Sequence, residues 1–204
     1  MSGMKVLRYV LWGLCGVVGI GLGVLAFRAF EQGTAPGQQI SQAGKFGVPF
    51  SLVRHNGEPV DETLFTGKLS LVYFGFTFCP DVCPTTLTDM TGWADELGAD
   101  ADRVNMVFVT VDPERDTAEV MSNYITSFSD RIIGVTGEPE ALKNMLRGYK
   151  VYFSKVPLEG GDYTMDHTAG VYILDSQGDF AGTIAYGASQ EDALVKIRKV
   201  LERS

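Results

Sequence analysis

The sequence predicts an α/β domain, a mixed sheet flanked by helices, and three observations carry that expectation. Leu69–Phe76, LSLVYFGF, is a nearly unbroken apolar run, the pattern of a strand buried on both faces. Apolar residues at helical spacing follow it, and Val104–Val111 then repeats the buried-strand pattern. Further on, Ser176-Gln177-Gly178-Asp179 turns one short apolar segment back onto another, the sign of an antiparallel pair.

Taken in order, the domain opens with a strand at Phe50–Val53, and His55-Asn56-Gly57 is a turn that returns the chain near Val60. After the strand 69–76, a helix from about Thr85 to Leu97 places Leu87, Met90, Ala94 and Leu97 at i, i+3, i+7 and i+10. Beyond the strand 104–111, Met121, Tyr124, Ile125 and Phe128 mark a second helix face. Ile132–Val135 reads as a short strand and Pro139–Leu146 as a helix, while Tyr149–Val156 and Val171–Leu174 alternate as strands. Phe180–Ile184 completes the hairpin, and the helix from Gln190 presents Leu194, Ile197 and Leu201. This order, βαβα followed by a β-hairpin and a last helix, predicts a thioredoxin-like arrangement with an N-terminal hairpin added.

Ahead of the domain, Tyr9–Phe27 is 19 residues without a formal charge. As a helix it would span roughly 28 Å, against about 30 Å of bilayer hydrocarbon. Signal-peptide cores stop at about 7–15 residues, so length favours a retained anchor over cleavage after Val24-Leu25-Ala26. Lys5 and Arg8 precede the span, and Arg28 is answered by Glu31. The positive-inside rule therefore predicts a cytoplasmic N-terminus and an external domain. Gly19 and Gly23 form a weak GxxxG, and Cys15 reads as an inert membrane thiol. The expected organisation is an anchor at 1–30, a flexible linker at 31–43 and a folded domain at 44–204. The expected location is a bacterial inner membrane crossed once, with the domain in the periplasm.

Composition narrows the function. The formal net charge is −8, and removing the anchor makes the balance more acidic still, which disfavours nucleic acid as a partner. Discounting Cys15, only Cys79 and Cys83 remain, too few for a disulfide scaffold in a domain large enough to build its own core.

Cys79 follows the carboxyl end of a central strand and enters a helix, the edge where ligand sites of α/β sheets gather. A helix N-terminus favours a thiolate there. Residues four apart on a helical turn project to the same side, so two sulfurs can close a disulfide or converge on one ion. Of the two histidines, His55 lies beside Asn56-Gly57 and reads as a solvated surface residue. His167 stands before the strand 171–174, in a region that passes over the cysteines in thioredoxin-like folds. Reductases carry a cis-proline there, and this chain has no proline after Pro157. Two thiolates and an imidazole suit Cu(I), tolerate Cu(II) and also suit zinc. Structural zinc usually takes a fourth protein ligand, so copper fits best. Met165 is a weaker thioether candidate that strand alternation can send into the core.

Three stretches taken in order, FCPDVCPTTL at 78–87, VTVDPERDT at 109–117 and DHTAGVYILD at 166–175, closely resemble the Sco (SenC) family of copper chaperones for cytochrome c oxidase. The resemblance implies a thioredoxin-like fold with Cys79, Cys83 and His167 as copper ligands. It implies delivery of copper to the CuA centre of oxidase subunit II, or thiol-disulfide exchange by Cys79 and Cys83 that keeps the CuA-site cysteines reduced. A periplasmic copper donor or thiol reductant would be a further partner. Asp112 matches the acidic residue of the family's DPERDT stretch, and reads more simply as an Asp-Pro turn with Arg115 and Asp116 as polar partners. Asp81, between the cysteines, reads as a solvated carboxylate.

Overall fold

The apolar run beginning at Leu69 sits at the centre of the sheet. In the computed structural model, which describes residues 46–203, it forms a strand over Leu69–Gly75 with every residue buried. Two short strands precede it: β1 (Ser51–Arg54) and β2 (Pro59–Asp61), paired antiparallel through the turn at His55-Asn56-Gly57. The strand at Leu69–Gly75 is β3, and α1 (Val82–Leu97) leads from it to β4 (Val104–Thr110). Then come α2 (Ala118–Ile125), β5 (Ile132–Thr136) and α3 (Pro139–Gly148). The chain continues through β6 (Phe153–Pro157), β7 (Tyr163–His167), β8 (Val171–Leu174), β9 (Phe180–Ile184) and α4 (Gln190–Leu201).

Seven strands form one sheet in the order β2-β1-β5-β4-β3-β8-β9, and β6 with β7 form a separate two-stranded sheet. β3, β4 and β5 run parallel, while β8 pairs antiparallel with β3 and β1 antiparallel with β5. The sheet is therefore mixed, as predicted. Met90 and Leu87 of α1, Met121 and Ile125 of α2, Leu142 and Met145 of α3, and Ile197 of α4 are all fully buried and belong to one core. A Leu or Met side chain removed from such a core is worth about 2–5 kcal/mol.

Three elements differ from the sequence expectation. The helix α1 begins at Val82 rather than near Thr85, because Pro84 needs no amide partner in a first turn. The strand expected from Tyr149 begins at Phe153, because Tyr149 caps α3 and Lys150 takes a left-handed conformation at φ 57°. β7 is a strand where the sequence shows a loop around His167. Its pairing with β6, Phe153 opposite His167 and Pro157 opposite Tyr163, is tertiary and leaves little local signal.

The predicted span 9–27, with Cys15, Gly19 and Gly23, and the linker 31–43 lie outside the described residues. Among the described residues no helix is long and apolar enough to cross a membrane.

Candidate metal centre

The site is assembled at the carboxyl edge of β3. Gly75 ends that strand, and a Cβ there would lie 2.9 Å from Cys83 Sγ and 2.8 Å from the Phe108 ring. Only a residue without a side chain leaves room for the sulfur. The chain turns at residues 77–80, with the Cys79 amide bonded to the Phe76 carbonyl at 3.3 Å, and α1 starts two residues before Pro84. Cys79 is half-buried before the helix, and Cys83 is fully buried in its first turn. Asp81 is exposed and its carboxylate makes no capping bond, in keeping with a solvated side chain.

His167, the last residue of β7, reaches the same place from the other side. Its ring lies edge-on to Tyr73 and to Phe76, with centroids at 6.1 and 5.7 Å. Nδ1 is 3.0 Å from the Thr168 carbonyl oxygen, which can only accept, so Nδ1 carries the proton. Nε2 is then left with its lone pair toward Cys83 Sγ at 3.6 Å. One ligand atom from each of Cys79, Cys83 and His167 lies within 4.8 Å of the other two. The structure thus brings together the three residues that the sequence singled out, with no cis peptide bond among the described residues.

The two thiols are unequal. Hydrogen bonding from Cys83 lowers the Cys79 thiol to about 3, against the opposing effect of burial; the amides of Asp81 and Cys83 assist. The Cys83 amide reaches Cys79 Sγ at 3.4 Å. Cys83 is pushed up, first by donating to Cys79 and then by burial, although the Tyr73 hydroxyl donates to its sulfur at 3.4 Å. The first proton leaves the pair at Cys79 and the second is retained at Cys83. A half-buried thiolate beside a fully buried thiol can attack a disulfide, and two sulfurs and an imidazole can hold a soft ion.

The remaining candidates fall outside this cluster. Met165 is buried and lines a cleft with Val111, Leu142, Leu146 and Phe153. His55 is not a solvated residue. It is half-buried, and its Nδ1 accepts the Gly134 amide at 3.1 Å while its own amide bonds the Gly134 carbonyl at 2.9 Å. Those two bonds extend the β1–β5 ladder by one residue, which a turn signal in sequence does not reveal. Asp112 accepts from Arg115 and from the Tyr163 hydroxyl.

Asp116 does more than the local polar role expected of it. Fully buried, it accepts the Thr77 amide at 3.1 Å, the Thr77 hydroxyl and the Thr110 hydroxyl at 2.6 Å. Its own carbonyl accepts the Thr136 hydroxyl at 2.6 Å. One residue thereby ties the ends of β3, β4 and β5 together beneath the cysteine loop. Burial raises its carboxyl above the ordinary aspartate range, with the Thr110 and Thr77 bonds opposing.

Residues 38–202 match the family model described as SCO1/SenC. The mitochondrial protein SCO2 of Saccharomyces cerevisiae is 38% identical over 160 residues, covering 76% of this chain and 53% of that protein. The mitochondrial SCO1 homolog 1 of Arabidopsis thaliana is 41% identical over 144 residues, covering 68% of this chain and 42% of that protein. The chain spans about half the length of these two relatives. The structure of Bradyrhizobium japonicum ScoI with copper bound superposes with a TM-score of 0.71 at 41% identity, covering 76% of this chain and 99% of that one. The thioredoxin-like fold expected from the order of elements is shared with that structure.

The expected placement in a bacterial inner membrane with a periplasmic domain is corrected here. Both sequence relatives are mitochondrial by name, and the described residues contain no helix able to span a bilayer. The charge asymmetry of Lys5 and Arg8 bears on the orientation of a segment and does not identify a membrane.

Proposed function

On the premise that the chain belongs to the SCO1/SenC family, we propose that it carries copper for the assembly of cytochrome c oxidase. Cys79 Sγ, Cys83 Sγ and His167 Nε2 are the proposed ligands, and the CuA centre of oxidase subunit II is the proposed recipient. The observation that carries this reading is the convergence of those three atoms within 4.8 Å, with the Nε2 lone pair turned toward the sulfurs. Copper bound in the structure of the Bradyrhizobium japonicum relative supports the choice of metal. Soft thiolate ligands favour Cu(I), and the imidazole extends the set to Cu(II).

The residues divide the work. Cys79 is already a thiolate and can take the ion first. Cys83 must release its proton to become the second ligand, so loading is coupled to proton release. The half-buried edge at Cys79 leaves a side on which thiolates of a recipient can enter as these ligands leave.

A second reading, thiol-disulfide exchange that keeps the CuA-site cysteines reduced, is favoured by one observation. The depressed Cys79 thiol beside the retained Cys83 proton is the asymmetry of an attacking and a resolving cysteine. His167 separates the two, because a carrier uses it and dithiol exchange does not.

The test is metal analysis of the reduced protein, with X-ray absorption to count sulfur and nitrogen ligands. His167→Ala is expected to abolish stoichiometric copper retention while the Cys79–Cys83 disulfide still forms. Full copper retention by that variant would refute the three-ligand centre.

A further inference from the structure

The β6–β7 hairpin shares no backbone ladder with the seven-stranded sheet, so side chains seat it on the domain. Alternate residues of a strand share a face, which puts Tyr163, Met165 and His167 on one side of β7. His167 stands at the cysteines and Met165 is buried in the core. Tyr163, at the opposite end of the strand, is held by the loop that follows β4.

Arg115 is the centre of that hold. Its Nη1 donates to the Tyr163 carbonyl at 3.0 Å and to Asp162 Oδ1 at 3.4 Å. Its guanidinium carbon lies 3.8 Å from the centroid of the Tyr163 ring. Nη2 is buried and meets no hydrogen-bond acceptor among the described residues, as suits a guanidinium whose other neighbours include aromatic rings. The Nε donates to Asp112, and the Tyr163 hydroxyl closes the triangle by donating to Asp112 Oδ1 at 2.9 Å.

The side chains of Arg115 and Asp112 are only 17% and 2% exposed, so removing the cation would strand a buried carboxylate. Lys155 of β6 also pairs with Glu114, at 2.8 Å, but both are exposed and such pairs contribute little. Arg115 further faces Phe76 at 5.9 Å and Phe78 at 4.6 Å, and Phe76 is the ring that meets His167 edge-on.

We propose that Arg115 is a positioning residue for His167. With Asp112 and Tyr163 it clamps β7 at the end away from the cysteines, and it supports the Phe76 ring against which the imidazole rests. The consequence for copper rests on the function proposed above, whereas the placement of the imidazole does not depend on metal. A planar guanidinium can serve a carboxylate, a carbonyl and an aromatic face together, and a lysine ammonium cannot.

The test uses the full chain with Arg115→Met, Arg115→Lys and Tyr163→Phe, and Cu(I) as the probe. In the copper-free reduced protein, NMR contacts from the His167 ring protons to the Tyr73 and Phe76 rings are expected in the parent and lost or averaged in Arg115→Met. Cu(I) affinity, measured by competition with a chromophoric chelator, is expected to fall roughly 10-fold or more in both Arg115 variants, and by less in Tyr163→Phe. The equilibrium constant of the Cys79–Cys83 disulfide with glutathione is expected to stay within about twofold, since exchange does not use the imidazole.

Unchanged ring contacts and affinity in Arg115→Met would overturn the proposal. So would a disulfide constant that moves together with the affinity, which would place Arg115 behind the cysteine loop instead. If Arg115→Met does not fold, Tyr163→Phe decides by the same contacts and the same comparison. A parent protein that retains no copper would refute the carrier function, while the metal-free ring contacts would still decide the role of Arg115.

Discussion

Replacing Cys83 with alanine removes the largest influence holding the Cys79 thiol near 3. A hydrogen bond to an ionised acceptor is worth about 1.5–3 kcal/mol. At about 1.4 kcal/mol per pKa unit, its loss should raise Cys79 by about 1–2 units, toward the lower figure because the site is half-exposed to water. The backbone amide of residue 83, at 3.4 Å, survives the substitution, as does the Asp81 amide. Cys79 should therefore stay well below the ordinary thiol value of about 8.5. The assay is the rate of alkylation by iodoacetamide against pH in copper-free reduced protein, resolved by peptide mass spectrometry so that Cys15 is counted separately. An unchanged midpoint in Cys83→Ala would refute the attribution to Cys83. A parent midpoint near 8.5 would refute the low thiol altogether.

Asp116→Ala strands three donors, one buried at Thr110 and two part-buried at Thr77, and should cost about 2–4 kcal/mol, read as a lower urea midpoint at unchanged slope. A loss below about 1 kcal/mol would mean that the threonines find other partners. The thiols set a pH dependence of definite sign. Cys79 has its folded value near 3, below the ordinary thiol value, so its contribution to the reduced protein grows as pH rises across that window and is lost as pH falls. Cys83, raised above the ordinary thiol value, works the other way only at higher pH. The urea midpoint of the reduced form, measured relative to the disulfide form, should climb between about pH 3 and 9, and a flat or falling difference would refute it. Gly75→Ala puts a methyl group 2.9 Å from Cys83 Sγ and should cost about 1–3 kcal/mol by overpacking. It should also lower the copper:protein ratio; parental stability and copper binding together would show that the sulfur can move aside freely.

Much of this architecture is legible in the chain because its signals are local. Leu69–Phe76 and Val104–Val111 are apolar throughout, and only strands covered on both faces need that. The helix faces at Leu87 and Met90 or at Leu194 and Ile197 repeat with the helical period and pack where that period points them. Cys79 and Cys83 stand out by type, spacing and their place after a strand. What escapes the sequence depends on distant partners. Tyr163–His167 becomes a strand only because Phe153–Pro157 lies beside it. His55 looks solvated until Gly134 arrives to bond its ring. Asp116 looks like one acid among many in DPERDT until Thr77, Thr110 and Thr136 converge on it from three strand ends. A general signal did exist for it: an aspartate in a loop between buried parallel strands has few neighbours except strand ends.

The separate β6–β7 sheet has a mechanical consequence. Cys83 and His167 are 84 positions apart in the chain, and between the two sheets no backbone ladder fixes their distance. An ion shared by them would act as a removable cross-link, closing a loop of that length. Loops of this size, tied by a covalent bridge, constrain the unfolded chain by about 4–5 kcal/mol. A carrier built this way would resist unfolding most when loaded, and surrendering its cargo would return that freedom to the unfolded chain.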